Sequence, residues 1–219
     1  MTYRGCPKRC TFCPETQVLN YRQFSSIITE IKDIIDKRKY QAIFFDDSIF
    51  TARSNGRKHD LEDLIRYLGH SRIEWGCQAR MGDIDKKTLQ LMEENGCTYI
   101  YFGIESADDR LFDDMQEGSH GDKIVETMRL LSNTGVRVGL SLCFSMAIPG
   151  AGKMREAKEN VRKTINFIKE LSDRCGNIVL INLDLATFYP GTKMTAVSEK
   201  RIDFTQPIIH HGYPCVFPL

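Results

Sequence analysis

The strongest constraint on the fold is an alternation. Short runs of apolar, β-branched and aromatic residues take turns with longer segments whose apolar residues recur at helical spacing. The runs are Thr2–Arg4, Ala42–Phe45, Ile73–Cys77, Thr98–Ile104, Val136–Met146 and Ile178–Phe188. Between them, Ile27, Ile28, Ile31, Ile34 and Ile35 follow Ser25-Ser26, which can cap a helix. Leu61, Leu64, Ile65 and Leu68 follow Asp60, and Leu89 and Met92 lie between Asp85 and a stop at Gly96. Ile124, Val125, Met128 and Leu131 precede Gly135, and Val161, Ile165, Ile168 and Leu171 precede Gly176. Strand–helix repeats imply parallel strands joined by right-handed crossovers. A complete eight-unit barrel takes ~250 residues. Six units in 219 residues therefore predict an α/β fold of the partial (β/α)6, TIM-like barrel type, with a doubly wound open sheet as the alternative. The barrel is expected over 1–197. The stretch 198–219, with Pro207, His210, His211, Pro214, Cys215 and Pro218, fits no unit and reads as an extended tail.

Side chains two apart on a strand share a face. One face of the third run carries Glu74, Gly76, Gln78 and Arg80, and one face of the fourth carries Tyr99, Tyr101, Gly103 and Glu105. The fifth offers Ser141, Cys143 and Ser145, and the sixth Asn182, Asp184 and Ala186. The opposite faces are apolar and suited to helices. A barrel interior filled with Val, Ile and Leu would not be this polar, so the pattern predicts a ligand cavity. Ligands in such folds bind at the C-terminal strand ends. There lie the cysteine cluster after the first run, Asp46-Asp47, Gln78 and Arg80, Glu105, Ile148-Pro149-Gly150 and Tyr189-Pro190-Gly191.

Thirty Lys and Arg balance 29 Asp and Glu, giving a net charge of +1, and 42% of residues are hydrophobic. That composition excludes disorder as the main state and argues against a dedicated nucleic-acid binder. No apolar run approaches the ~18 residues of a membrane span, and no secretory leader is visible. The expected compartment is the cytoplasm. There, eight cysteines do not read as a disulfide scaffold. Cys77, Cys97 and Cys175 suit a core, and Cys215 sits in the tail.

Cys6, Cys10 and Cys13, spaced C-x3-C-x2-C, read as metal or iron–sulfur ligands. Structural zinc takes four ligands, and no nearby Cys or His supplies the fourth. A cubane 4Fe–4S cluster also normally takes four cysteines, so three would leave one iron open to a ligand. The remaining alternative is an inert metal site.

The stretch Arg4-Gly5-Cys6-Pro7-Lys8-Arg9-Cys10-Thr11-Phe12-Cys13 resembles the signature of the radical S-adenosylmethionine (radical SAM) enzymes. Phe45-Asp46-Asp47, Phe102-Gly103-Ile104-Glu105-Ser106, Ile148-Pro149-Gly150 and Tyr189-Pro190-Gly191-Thr192 follow in the family's order. The set is most similar to the branch holding cobalamin-binding enzymes and methylthiotransferases. The resemblance implies a 4Fe–4S cluster on Cys6, Cys10 and Cys13, with S-adenosylmethionine on the open iron. It also implies reductive cleavage to a 5′-deoxyadenosyl radical, which takes a hydrogen atom from a small polar substrate. By the same resemblance, Phe12 packs near cluster and adenine, and Asp46 or Asp47 accepts from the methionine amino group. Glu105 binds the ribose hydroxyls or that amino group, Arg80 meets the methionine carboxylate with Gln78 beside it, and Ile148, Pro149, Gly150 and Tyr189 border the adenine. Tyr99, Tyr101, Ser141, Ser145, Asn182 and Asp184 would suit substrate recognition. Cys143 stands where a hydrogen-atom donor would, or is simply a small core thiol. Flavodoxin or ferredoxin is the expected electron donor, and nucleic acid is not an expected partner. Only five residues precede Cys6, so neither cobalamin chemistry nor methylthiolation is carried over. Methyl or sulfur transfer to RNA or a natural product would need further domains, and a non-catalytic cluster protein is the third reading.

Overall fold

The computed structural model describes residues 1–107, 121–144, 158–198, 208–210 and 213–215. Its centre is a five-stranded parallel sheet of β3 (Ala42–Phe45), β4 (Glu74–Arg80), β5 (Cys97–Glu105), β6 (Arg137–Phe144) and β7 (Ile178–Leu185). The strands lie in sequence order, β3-β4-β5-β6-β7. Sequential order with crossovers of one hand is the winding of a barrel segment. A doubly wound sheet reverses its order part-way, which removes that alternative.

The first expected strand does not join this sheet. β1 (Tyr3–Arg4) pairs antiparallel with β2 (Asn20–Tyr21), so the main sheet has five parallel strands rather than six. The cause is local. The chain turns back on itself after Arg4, the Cys6 N–H donates to Thr16 O at 2.8 Å, and the returning segment supplies the partner.

Helices cover one face of the sheet: α1 (Phe24–Asp36), α2 (Ser54–His70), α3 (Lys86–Glu94), α4 (Gly121–Leu131) and α5 (Lys158–Arg174). Asp85 caps α3, its side chain accepting from Thr88 N–H at 2.7 Å, and Gly96 follows the helix at φ 87°. Ser25 and Ser26 do not cap α1. The helix starts one residue earlier, at Phe24, and its N-cap is Gln23. The apolar face of β5, Ile100, Phe102 and Ile104, is wholly buried, as are Val138, Leu140 and Leu142 on β6. Phe45, Phe50 and Trp75 pack ring to ring in the same core, Phe45 meeting Trp75 edge-on at 5.9 Å. Cys77, Cys97 and Cys175 are buried core thiols.

The edge strand β7 departs from this pattern. Ile181, Leu183 and Leu185 have the periodicity of a helix-covered face, yet Leu183 and Leu185 are each 64% exposed. A short helix, α6 (Lys193–Ser198), follows β7, and a small hairpin pairs β8 (Ile208–His210) with β9 (Tyr213–Cys215). Among the described residues, no helix is long and apolar enough to cross a membrane.

Candidate active site

The polar face expected from strand alternation is present. Along β5, Ile100, Phe102 and Ile104 are buried, while Tyr99, Tyr101, Gly103 and Glu105 are only half-buried on the other side. At the C-terminal strand ends this face opens into a cavity of about 450 Å³. The cysteine loop forms one wall, with Cys6, Cys10, Phe12 and Cys13. The strands form the other, with Asp46, Gln78, Arg80, Tyr101, Glu105 and Ser141. Residues from opposite ends of the first half of the sequence thus meet across one space.

Burial pushes up all three thiols, Cys10 to about 12. Arg80, itself nearly buried, acts the other way on Cys6 and Cys10. Cys6 and Cys13 also raise Cys10, which places the thiols within each other's field. Among the described residues no three Cys, His, Asp or Glu side chains close to metal-binding geometry. The fit to a cluster rests on the donor set: three thiols on one loop, facing one cavity, beside a guanidinium.

Asp46 and Asp47 separate, as neighbours at a strand end do. Asp46 is on the cavity wall, its Oδ1 accepting from Gln78 Nε2 at 2.5 Å. Asp47 is buried and points to β1. Its Oδ1 accepts from Thr2 N–H at 2.6 Å, Thr2 Oγ1 at 3.1 Å and Tyr3 N–H at 2.9 Å.

Glu105 has φ 63°, a left-handed conformation that a non-glycine residue adopts at a cost. The pairing of β5 with β6 slips between Gly103 and Glu105, and the turned backbone folds the carboxylate back over Gly103. A Cβ at position 103 would stand 2.5 Å from Glu105 Oε1, so glycine is what makes room. Burial, with help from the Asp184 charge, pushes the Glu105 carboxyl up to about 7.

A second cavity, of about 490 Å³, adjoins the first and shares Phe12 and Glu105 with it. Cys143, Asp184, Thr187, Tyr189 and Met194 complete much of its lining. Asp184 Oδ2 accepts from Asn182 Nδ2 at 2.6 Å and from Ser141 Oγ at 3.3 Å. Tyr99 lies lower on the polar face, its ring 6.1 Å from that of Phe44. Ser145, Ile148, Pro149 and Gly150 lie outside the described residues. A further cavity, of about 860 Å³, is an open groove between α1 and β3 that holds none of these residues.

Sequence patterning did not reveal what holds the loop. Met194 N–H, at the start of α6, donates to Thr11 O at 2.9 Å, between the second and third cysteines. Thr192 and Thr195 fix that turn, each hydroxyl donating to Tyr189 O. Lys8 Nζ lies 3.4 Å from Asp83 beyond β4. Thr192, a residue type favoured at helix N-caps, was the available signal for the helix start, and its hydroxyl accepts from Thr195 N–H at 3.1 Å.

A parallel, sequentially wound sheet with a three-cysteine loop over its C-terminal ends defines an α/β enzyme scaffold built around a cluster. Residues 1–163 match the family model described as the radical SAM superfamily, and the chain belongs to that family. Its cofactors are a 4Fe–4S cluster and S-adenosylmethionine. The chain is 30% identical over 198 residues to an uncharacterized methyltransferase, PH0819, of Pyrococcus horikoshii, covering 89% of this chain and 40% of that protein. A putative methylthiotransferase of Methanocaldococcus jannaschii, MJ0865, is 26% identical over 165 residues, or 70% of this chain and 36% of its own. In fold, the chain is similar to the radical S-adenosylmethionine methyltransferase TsrM from Kitasatospora setae, solved with cobalamin and a [4Fe-4S] cluster bound. The TM-score is 0.73 at 19% identity, over 91% of this chain and 36% of that one. The chain therefore spans about two fifths of the length of the curated relatives it matches.

Proposed function

We propose that this chain is the catalytic core of a radical SAM enzyme acting on a small polar substrate. Its chemistry would be one-electron cleavage of S-adenosylmethionine at the cluster, giving a 5′-deoxyadenosyl radical that takes a hydrogen atom from the substrate. The observation that supports this most is the cavity of about 450 Å³, onto which the three cysteines and the polar strand ends converge.

In this reading Cys6, Cys10 and Cys13 hold the cluster. Arg80, planar and permanently charged, pairs with the methionine carboxylate, with Gln78 alongside. Asp46, on the cavity wall and fixed by Gln78, accepts from the methionine amino group. Glu105 receives the ribose hydroxyls or that same amino group, and Phe12 and Tyr189 border the adenine. Tyr101, Ser141, Asn182 and Asp184 offer the substrate donors and acceptors, with Tyr99 beneath them. Cys143, which lines the second cavity, would be the residue to return a hydrogen atom. The cavity is open on one side, and substrate bound there would cover the reacting groups. Transfer of a methyl group or sulfur is the second reading, favoured by the names of the relatives and by the larger size of those proteins.

The test is anaerobic reconstitution with iron and sulfide, reduction, and addition of S-adenosylmethionine, with flavodoxin or ferredoxin as alternative reductants. The native protein should release 5′-deoxyadenosine and Cys13→Ala should not. Zinc uptake without a 4Fe–4S cluster would overturn the assignment.

A further inference from the structure

The cysteine loop, residues 5–19, is carried by two strands of two residues each, β1 and β2. That hairpin shares no ladder with the five-stranded sheet. A two-residue pairing cannot hold a loop in place alone. Yet the loop must keep its position over the sheet to within a fraction of an ångström if cysteines and strand-end residues are to serve one cavity.

Asp47 bridges the two parts. It lies two residues past the end of β3 and is 1% exposed. One oxygen, Oδ1, takes both backbone N–H groups of Thr2 and Tyr3 and the Thr2 hydroxyl. Bonds to a carboxylate are about twice as strong as neutral ones, and these three are out of water. Two residues further on, the Tyr3 hydroxyl donates to Ile49 O at 2.6 Å and accepts from Ile49 N–H at 3.1 Å, extending the same seam. The Tyr3 side chain is buried against Ile49 and Ala52 in a small apolar cluster of its own. Asp46, one residue earlier, faces the cavity instead. The Asp46-Asp47 pair therefore divides two tasks between opposite sides of one strand end.

We propose that Asp47 is a positioning residue: its buried carboxylate ties β1 to the end of β3 and so fixes the cysteine loop over the polar face of the sheet. The inference rests on the reading above only in taking that loop to carry the cluster.

The experiment uses the full chain, first without metal and then reconstituted. Amide hydrogen exchange of the metal-free protein is followed for peptides covering 1–19 and for peptides from β4 and β5. In Asp47→Asn the acceptor loses its charge, and the new amide N–H2 replaces an oxygen, Oδ2, that has no hydrogen-bond partner among the described residues. Exchange over 1–19 should rise by roughly tenfold or more, the size of one lost charge-assisted bond, while β4 and β5 stay protected. After reconstitution, iron should pass to a chelator faster by a similar factor. Unchanged exchange over 1–19 overturns the proposal. So does faster exchange there with iron release no different from wild type. If Asp47→Asn fails to fold, Thr2→Val, which removes the hydroxyl that donates to Asp47 and leaves the carboxylate in place, decides by the same two readings. If the wild-type protein binds no cluster, the functional reading fails, and the exchange measurement still tests the anchor by itself.

Discussion

Glu105→Gln should stabilise the cluster-free protein at neutral and alkaline pH. The Glu105 carboxyl is pushed from 4.5 up to about 7, first by burial and then by Asp184. Holding a carboxyl that far above its ordinary value works against the charged form by about 3 kcal/mol, at ~1.4 kcal/mol per pH unit. Glu105 borders an open cavity, so water screens part of this, and about 2 kcal/mol is the expected effect. The sign follows from proton binding. Below pH 4.5 both folded and unfolded chains carry the proton and no penalty exists. Between 4.5 and about 7 the unfolded chain releases it while the folded one keeps it, so stability falls as pH rises. Above about 7 the loss is complete and constant. Glutamine has the same shape, stays neutral throughout, and keeps the turned backbone at position 105. Thermal melts of wild type and Glu105→Gln, taken anaerobically from pH 5 to pH 8.5, should start together and separate by about 4 to 8 °C at the alkaline end. Asp184→Asn should recover a smaller part of the difference. Parallel curves for wild type and Glu105→Gln would refute the reasoning, because the burial penalty on the charge would then be absent.

Gly103→Ala should displace the Glu105 carboxylate, since the added methyl would stand 2.5 Å from Oε1. S-adenosylmethionine binding, measured by calorimetry on the reconstituted protein, should weaken about tenfold while iron content is unchanged, consistent with one charge-assisted hydrogen bond. On the helix-covered face of β6, Leu140→Ala should cost about 2–5 kcal/mol in denaturant unfolding, whereas Leu183→Ser on exposed β7 should stay within about 0.5 kcal/mol. Asp85→Ala should lower stability by about 1 kcal/mol through loss of the bond to Thr88 N–H, seen as a lower denaturation midpoint with unchanged slope.

Period-two alternation made the polar and apolar faces legible residue by residue from Tyr99 to Glu105 on β5 and from Leu140 to Cys143 on β6, because burial on a strand repeats with the same period, whereas Gly139 and Phe144 on β6 depart from it. The helices were legible for the corresponding reason at 3.6 residues. Pairing was not. Tyr3–Arg4 has strand composition, but nothing in composition says whether a strand joins a parallel sheet or folds back on a segment 17 residues later. Nor could sequence divide Asp46 from Asp47, because which of two adjacent residues faces the cavity depends on where the strand ends. The apolar face of β7 had the pattern of a covered surface, and exposure is a property of neighbours that periodicity does not contain. The cysteines were visible from spacing alone. Their meeting with Arg80 and Glu105 was foreshadowed by the rule that parallel strands present their C-terminal ends on one side, and by the resemblance to the radical SAM enzymes.

The bond from Met194 N–H to Thr11 O bears on how the protein assembles. Its partners are 183 positions apart, against 45 for Thr2 and Asp47. Closure entropy grows with separation, and a chain leaving the ribosome makes its shorter loops first. The cysteine loop is therefore tied at its base before the bond to Met194 closes its far side. During that interval it is tethered at its base by Asp47 and open opposite, so the order of synthesis provides a period when iron and sulfide reach the thiols unobstructed.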